Sequence, residues 1–198
     1  MKTNQRNILV VLGHPNPNSL CAHLAETYVN AAKNTGHTVS FLKLADLKFD
    51  YNLYMGHKKD SIPTLEPDLV QSQRLISEAD HLVFVFPSWW ASMPAVLKAW
   101  IDRVFLPGFS FKYRKNSPFP EKLLLGKSAR IIVTMDAPSW YYKWFNKSPG
   151  VQLLKFGTLE FCGVAPVKVT ILGEVRTRKL KHFLKWTNLV ESLAIRGE

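Results

Sequence analysis

The sequence predicts an α/β fold built as a doubly wound, five-stranded parallel sheet, with strand order 2-1-3-4-5. Three observations carry this prediction. Short, continuous apolar runs such as Ile8–Leu12 and His81–Phe86 have the length and β-branched content of strands buried on both faces. Segments of helical periodicity separate them, so successive strands must be joined by crossovers and lie parallel. The 198 residues contain no internal repeat or interdomain linker, so one domain spanning 1–198 is expected.

Taken in order, Ile8–Leu12 is the first strand, and Gly13–Asn18 a turn with two prolines. From Ser19 the apolar residues Leu20, Leu24, Tyr28 and Ala31 recur at helical spacing until Asn34, and Gly36 suits a left-handed helix stop. Val39–Leu44 is the second strand. The irregular stretch Ala45–Pro67 is longer than an ordinary connection and suggests a functional or interface excursion. A helix over Asp68–Ala79 leads into the third strand, His81–Phe86, and Pro94 opens the next helix. Gly108–Tyr113 alternates like a short additional strand. Ala129–Thr134 and Val167–Leu172 are the fourth and fifth core strands. An apolar helix around Val151–Phe161 lies between them, and a basic amphipathic helix, Lys179–Ala194, follows.

The formal net charge is +11, with basic residues concentrated in Lys98–Arg130 and Lys168–Lys185. Such charge attracts nucleic acid, a membrane surface or a phosphorylated cofactor, or simply solvates the surface. No zinc spacing, RNA-binding aromatic motif or helix-turn-helix accompanies it, so neither nucleic acid nor a metal is expected. No apolar run reaches the ~20 residues of a membrane span, and the polar Met1–Asn7 lacks the form of a secretory signal. Cys21 and Cys162 lie far apart in apolar helical patterns and are expected to be free thiols of a cytoplasmic protein.

In open parallel sheets, ligands bind beyond the carboxyl ends of the strands at the point where strand order reverses. This rule selects three loops. The first, Gly13–Ser19, runs onto a helix N-terminus, whose free N–H groups and dipole make an anion site. His14, Asn18 and Ser19 add donors suited to a phosphate monoester, although Asn18 or Ser19 acting only as a helix cap accounts for the same residues. It is neither a Walker loop nor a Gly-x-Gly-x-x-Gly fingerprint. The second, Pro87–Met93, places Trp89 and Trp90 directly after a buried strand, as flat walls for a planar heteroaromatic ligand or as packing against neighbouring helices. The third, Met135–Lys147, is rich in aromatics and would face the second across the sheet edge.

The run from Phe86 through Trp89, Trp90 and Pro94 to Phe105 resembles the helix entry of the flavodoxin-like NAD(P)H:quinone reductases. This group includes DT-diaphorase, the modulator of drug activity B and the ancillary oxidoreductases of potassium efflux. The resemblance continues through His14–Leu20, the Thr134 loop and Phe161-Cys162-Gly163, covering nearly the whole chain. It implies a homodimer with a flavin near the dimer interface. His14, Asn18, Ser19, Leu20 and Cys21 would surround the flavin phosphate and ribityl chain. Pro87, Ser88, Trp89, Trp90 and Ala91 would border the isoalloxazine, and Thr134, Met135, Asp136 and Ala137 its other polar edge. Phe111, Tyr113, Trp140 and Tyr142 would line the nicotinamide and acceptor pocket, with Tyr142 as the catalytic candidate.

Two departures qualify the resemblance. Diaphorases carry Thr-Gly-Gly after the fourth strand, where this chain has Met135-Asp136-Ala137; Asp136 would bond a flavin nitrogen or cap the loop. The diaphorase tyrosine–histidine pair keeps only Tyr142, since Ser148 stands near the histidine position. The resemblance implies two-electron, ping-pong reduction of quinones or related aromatic acceptors. The cofactor would be FMN, with FAD the alternative, and the reductant NADPH or NADH. The other readings are a regulatory ancillary subunit contacting a membrane transporter and a one-electron carrier of flavodoxin type; the positive charge argues against the carrier.

Overall fold

The computed structural model describes residues 5–54, 56 and 64–198. Strands β1 (Asn7–Leu12), β2 (Thr38–Lys43), β3 (His81–Pro87), β6 (Ser128–Thr134) and β7 (Val167–Leu172) form one parallel sheet, ordered β2-β1-β3-β6-β7. This is the predicted 2-1-3-4-5 order. The continuous apolar runs of β1 and β3 are explained by their places inside the sheet. β3 is buried at all seven positions, whereas the edge strands β2 and β7 are mostly half-buried.

Helices cover both faces. On one side, α1 (Leu20–Asn34) and α6 (Leu180–Ile195) pack over Ile8, Val10, Val83, Val85 and Ile132. On the other, α2 (Pro67–Glu78) and α3 (Ala95–Val104) cover Leu9, Val11, Phe84, Ile131 and Val133, with Trp100 fully buried. The period-2 alternation of each strand sends its side chains to these two cores in turn.

Several elements differ from the sequence prediction. The short strand expected over Gly108–Tyr113 is only Phe111–Lys112 (β4), paired antiparallel with Glu121–Lys122 (β5). The third loop contains an unpredicted helix, α4 (Ser139–Trp144), whose six residues are too few to show a helical period. The apolar helix after it starts as α5 (Pro149–Gln152) and continues as a π-helix over Leu153–Glu160. Of the Ala45–Pro67 excursion, residues 55 and 57–63 lie outside the described residues, as do residues 1–4 of the polar leader. The flanks of the excursion are tied down by the buried Arg103, which donates to the Asp50 carbonyl and to Glu66 Oε2 at 2.5 and 2.7 Å.

Candidate functional site

The order of strands reverses between β1 and β3, and their carboxyl ends open a cleft of about 200 Å³. His14, Ser19–Cys21, Pro87–Trp89 and Thr134–Asp136 line it, together with Val175. The sheet edge is continued by Gly13, whose N–H donates to Val85 O at 2.9 Å. A Cβ on Gly13 would lie 2.9 Å from Leu97 Cδ2 and 3.2 Å from Leu97 Cβ and Phe86 Cβ, so a larger residue would press on α3 and β3 where β1 leaves the sheet.

The floor of the cleft is the start of α1. Ser19 is its N-cap, and Ser19 Oγ accepts the Ala22 N–H at 3.2 Å. The cap role expected for Ser19 is therefore real, yet it leaves the N–H groups of Leu20 and Cys21 without acceptors among the described residues. These donors sit at the positive end of a 15-residue helix. His14 Nδ1 accepts the Asn16 N–H at 2.9 Å, which leaves Nε2 to carry the proton of the neutral ring. Burial pushes the His14 pKa below its ordinary value. Asn18 is turned to this loop through its own N–H, which donates to Asn16 Oδ1. Cys21 Sγ lies 3.2 Å from Thr134 Oγ1, and burial raises the thiol pKa to about 11. It is a packed neutral thiol rather than a nucleophile.

The second loop is a two-residue turn. Trp89 and Ser92 exchange both backbone hydrogen bonds at 2.9 Å, and Trp90 and Ala91 between them have φ of 52° and 59°. Two consecutive non-glycine residues in the left-handed region are a strained arrangement of the type I′ kind. What holds it is the Ala91 carbonyl, which accepts the Gly150 N–H at 3.0 Å and the Tyr142 hydroxyl at 3.3 Å. Trp89 forms one cleft wall, edge-on to His14 with ring centroids 5.4 Å apart. The N–H groups of Trp90, Ala91, Asp136 and Ala137 have no acceptor among the described residues. Of these residues Asp136 lines the cleft, and Trp90 and Ala137 adjoin its lining residues in the chain.

The family model described as a flavodoxin-like fold matches residues 6–186. The chain belongs to this flavodoxin-like family. Among its relatives, a guinea pig (Cavia porcellus) protein named NAD(P)H dehydrogenase (quinone) 1 is 32% identical over 182 residues, 80% of this chain. The chain spans 65% of that protein's length, just under two thirds. The crystal structure of Smu.1420 from Streptococcus mutans superposes with a TM-score of 0.79 at 32% identity, covering 97% of this chain and 100% of that one. An FMN-dependent NADH-azoreductase of Bacillus anthracis, solved with FMN, has a TM-score of 0.72 over 97% of this chain and 99% of its own. At 18% identity it speaks to the flavodoxin-like fold alone.

Several residues singled out in the sequence stand elsewhere than in the cleft of this flavodoxin-like chain. Trp90 projects from the turn with its side chain fully exposed, at 101%. Ala91 lies behind the turn, half-buried against the core. Tyr142 is buried at 2% exposure, and burial raises its pKa, so it meets the cleft only through the turn it holds. Phe111 belongs to a different groove with Phe105, Phe161 and Cys162, and Tyr113 stacks edge-on against it, 67% exposed. Trp140 is exposed on α4. The Asp136 carboxylate accepts the Arg176 N–H at 3.0 Å, so of the two roles expected for it, the capping one is made within the chain. Sequence reasoning missed Val175 and Gly150. The strand-end rule applied to β7 would have found Val175, but nothing local marks Gly150, whose Cβ would lie 2.8 Å from Ser92 Cα.

Proposed function

We propose that this chain is a flavin-dependent NAD(P)H oxidoreductase of the quinone-reductase type. The observation that carries it is the joining, in one cleft, of a long helix's free N-terminal donors with an aromatic wall and the unpaired Asp136 N–H. A phosphate monoester suits the Leu20 and Cys21 N–H groups and the neutral His14 Nε2–H. A planar ring suits the Trp89 face, with polar ring atoms toward the Asp136 and Ala137 N–H groups. These backbone donors survive the replacement of glycines by Met135-Asp136-Ala137, because side-chain identity does not remove an N–H.

When bound, the flavin supplies the two-electron hydride chemistry. The chain's own residues bind and orient it, and Tyr142 with Gly150 fixes the turn that carries Trp89 and Trp90. FMN is preferred over FAD, because the helix-end donors form one compact anion site. The positive surface favours NADPH over NADH. Reductant and quinone, or a related aromatic acceptor, would share the cleft in turn, giving ping-pong kinetics. Phe111 and Tyr113 line no part of the cleft within one chain. If they serve the acceptor pocket, a second copy of the chain must bring them, as in a homodimer. A cytoplasmic location fits these substrates, and no described helix is long and apolar enough to cross a membrane.

The test is anaerobic titration of the FMN-reconstituted protein with NADPH. Bleaching of the flavin absorbance followed by reoxidation with a quinone is expected. A flavin that binds and stays oxidised would overturn the reductase assignment and leave the electron-carrier or transporter-subunit roles.

A further inference from the structure

We propose that the face carrying α4 is a docking surface for an anionic lipid bilayer. The sequence Trp140-Tyr-Tyr-Lys-Trp-Phe-Asn-Lys147 supplies it. Tyr142 turns inward, and the remaining aromatics turn out. Trp140, Tyr141, Trp144 and Phe145 are 60%, 42%, 79% and 69% exposed. Three of them pack against one another, with Tyr141 and Phe145 stacked at 5.5 Å and Trp140 edge-on to both at 6.0 Å. Three large aromatics in mutual contact, with the exposed Trp144 next to Phe145 in the chain, form a patch unlike the singly scattered apolar residues normal on a surface.

The charge around the patch decides its partner. Lys143 and Lys147 alternate with the aromatics and are exposed, and neither makes an ion pair among the described residues. The segment after β7 adjoins α4, since a Cβ on Gly173 would lie 2.5 Å from Ser139 Oγ. That segment adds Arg176, Arg178 and Lys179. Arg178 is paired with Glu174, so Lys143, Lys147, Arg176 and Lys179 stand as four cations without an ion pair among the described residues, against the single Asp136 carboxylate, whose Oδ1 accepts the Arg176 backbone N–H. A second copy seated symmetrically on this face would bring its own cations against them, which is repulsive. A bilayer rich in anionic headgroups complements both parts. Trp and Tyr partition to the headgroup boundary with their rings in the apolar layer and polar atoms in water, and lysines pair with lipid phosphates. Because α4 follows β6 directly, docking sets the carboxyl edge of the sheet, and therefore the cleft, at the bilayer surface. A lipid-dissolved aromatic acceptor would be met there without crossing water. The docking itself does not depend on the flavin assignment.

The test is co-sedimentation of the full chain with phosphatidylcholine vesicles prepared with and without phosphatidylglycerol. Sedimentation velocity on the same samples reports oligomeric state. Binding is expected only to the anionic vesicles, weakening as salt shortens the Debye length. The variant Lys143→Glu/Lys147→Glu should partition about 25-fold more weakly or worse, from the contribution of each juxtamembrane lysine. Trp144→Ser/Phe145→Ser should lose at least about tenfold from its buried apolar area. Both changes lie on exposed side chains, so circular dichroism should show an unchanged fold. No binding, or equal binding to neutral and anionic vesicles, would overturn the proposal. So would unaltered partitioning of both variants. A Trp144→Ser/Phe145→Ser protein that becomes a smaller species while partitioning normally would assign the patch to a seam between copies.

Discussion

Replacing Trp90 by glycine should make the apoprotein more stable and the loaded protein less competent. At φ 52° an L-residue occupies the left-handed region, at a cost of about 1–2 kcal/mol. Glycine avoids this strain but loses about 0.5–1 kcal/mol more backbone entropy on folding. The Trp90 side chain is fully exposed, so no buried area is forfeited. The balance favours glycine by about 0.5–1 kcal/mol, or about 1–4 °C in Tm for a domain of this size. Trp90→Val should move Tm downward, because β-branching makes the same backbone conformation worse. If Trp90 borders the bound ring, its removal should also weaken FMN binding about 2- to 10-fold. Thermal unfolding of the apoprotein and flavin fluorescence quenching measure the two halves separately. An apoprotein Tm that is unchanged or lower for Trp90→Gly would refute the claim that the turn stores strain.

Gly150→Ala should destabilise the turn that carries Trp89 and Trp90. Its Cβ would fall 2.8 Å from Ser92 Cα and 3.1 Å from Ala91 O, both backbone atoms; overpacking of this kind costs about 1–3 kcal/mol, read by urea denaturation. Tyr142→Phe should cost only about 0.5–1.5 kcal/mol in the same assay, since the Ala91 carbonyl keeps its bond from Gly150. Cys21 and Cys162 are both buried and free, so an aromatic disulfide reagent at mild alkaline pH should react with neither until denaturant is added. For Glu66, burial would raise the carboxyl pKa, but the Asp50 N–H and the Arg103 guanidinium more than offset this and hold it below the usual range. The stabilisation from this depressed pKa is therefore present above the ordinary carboxylate pKa and is lost as pH falls through the folded value. Glu66→Gln should flatten that part of the acid limb in pH-dependent denaturation. It should also destabilise at neutral pH by about 2–4 kcal/mol, because Arg103 is left buried without its counter-charge.

The sheet order, the two helical layers and ten of the cleft-lining residues were legible in the sequence, because each rests on a local signal. Burial on both faces makes β1 and β3 read as unbroken apolar runs, and the strand-end rule then points to Gly13–Cys21, Pro87–Trp89 and Thr134–Asp136. The α1 N-terminus was readable from Ser19 for the same reason: a capping side chain acts within three residues.

What the tertiary structure alone decided are the pairings between loops distant in sequence. Nothing near Trp90 announces that Gly150 and Tyr142 grip the carbonyl beside it, or that this grip holds two residues in a backbone region they would otherwise avoid. The family resemblance puts Tyr142 in the acceptor pocket, but the unpredicted α4 turns it inward and its neighbours outward. Phe111 was separated from the cleft by a two-residue hairpin too short to leave a period. A linear sequence encodes which segments are buried; which of their side chains meet depends on the crossovers that bring strand ends 50 residues or more apart onto one edge.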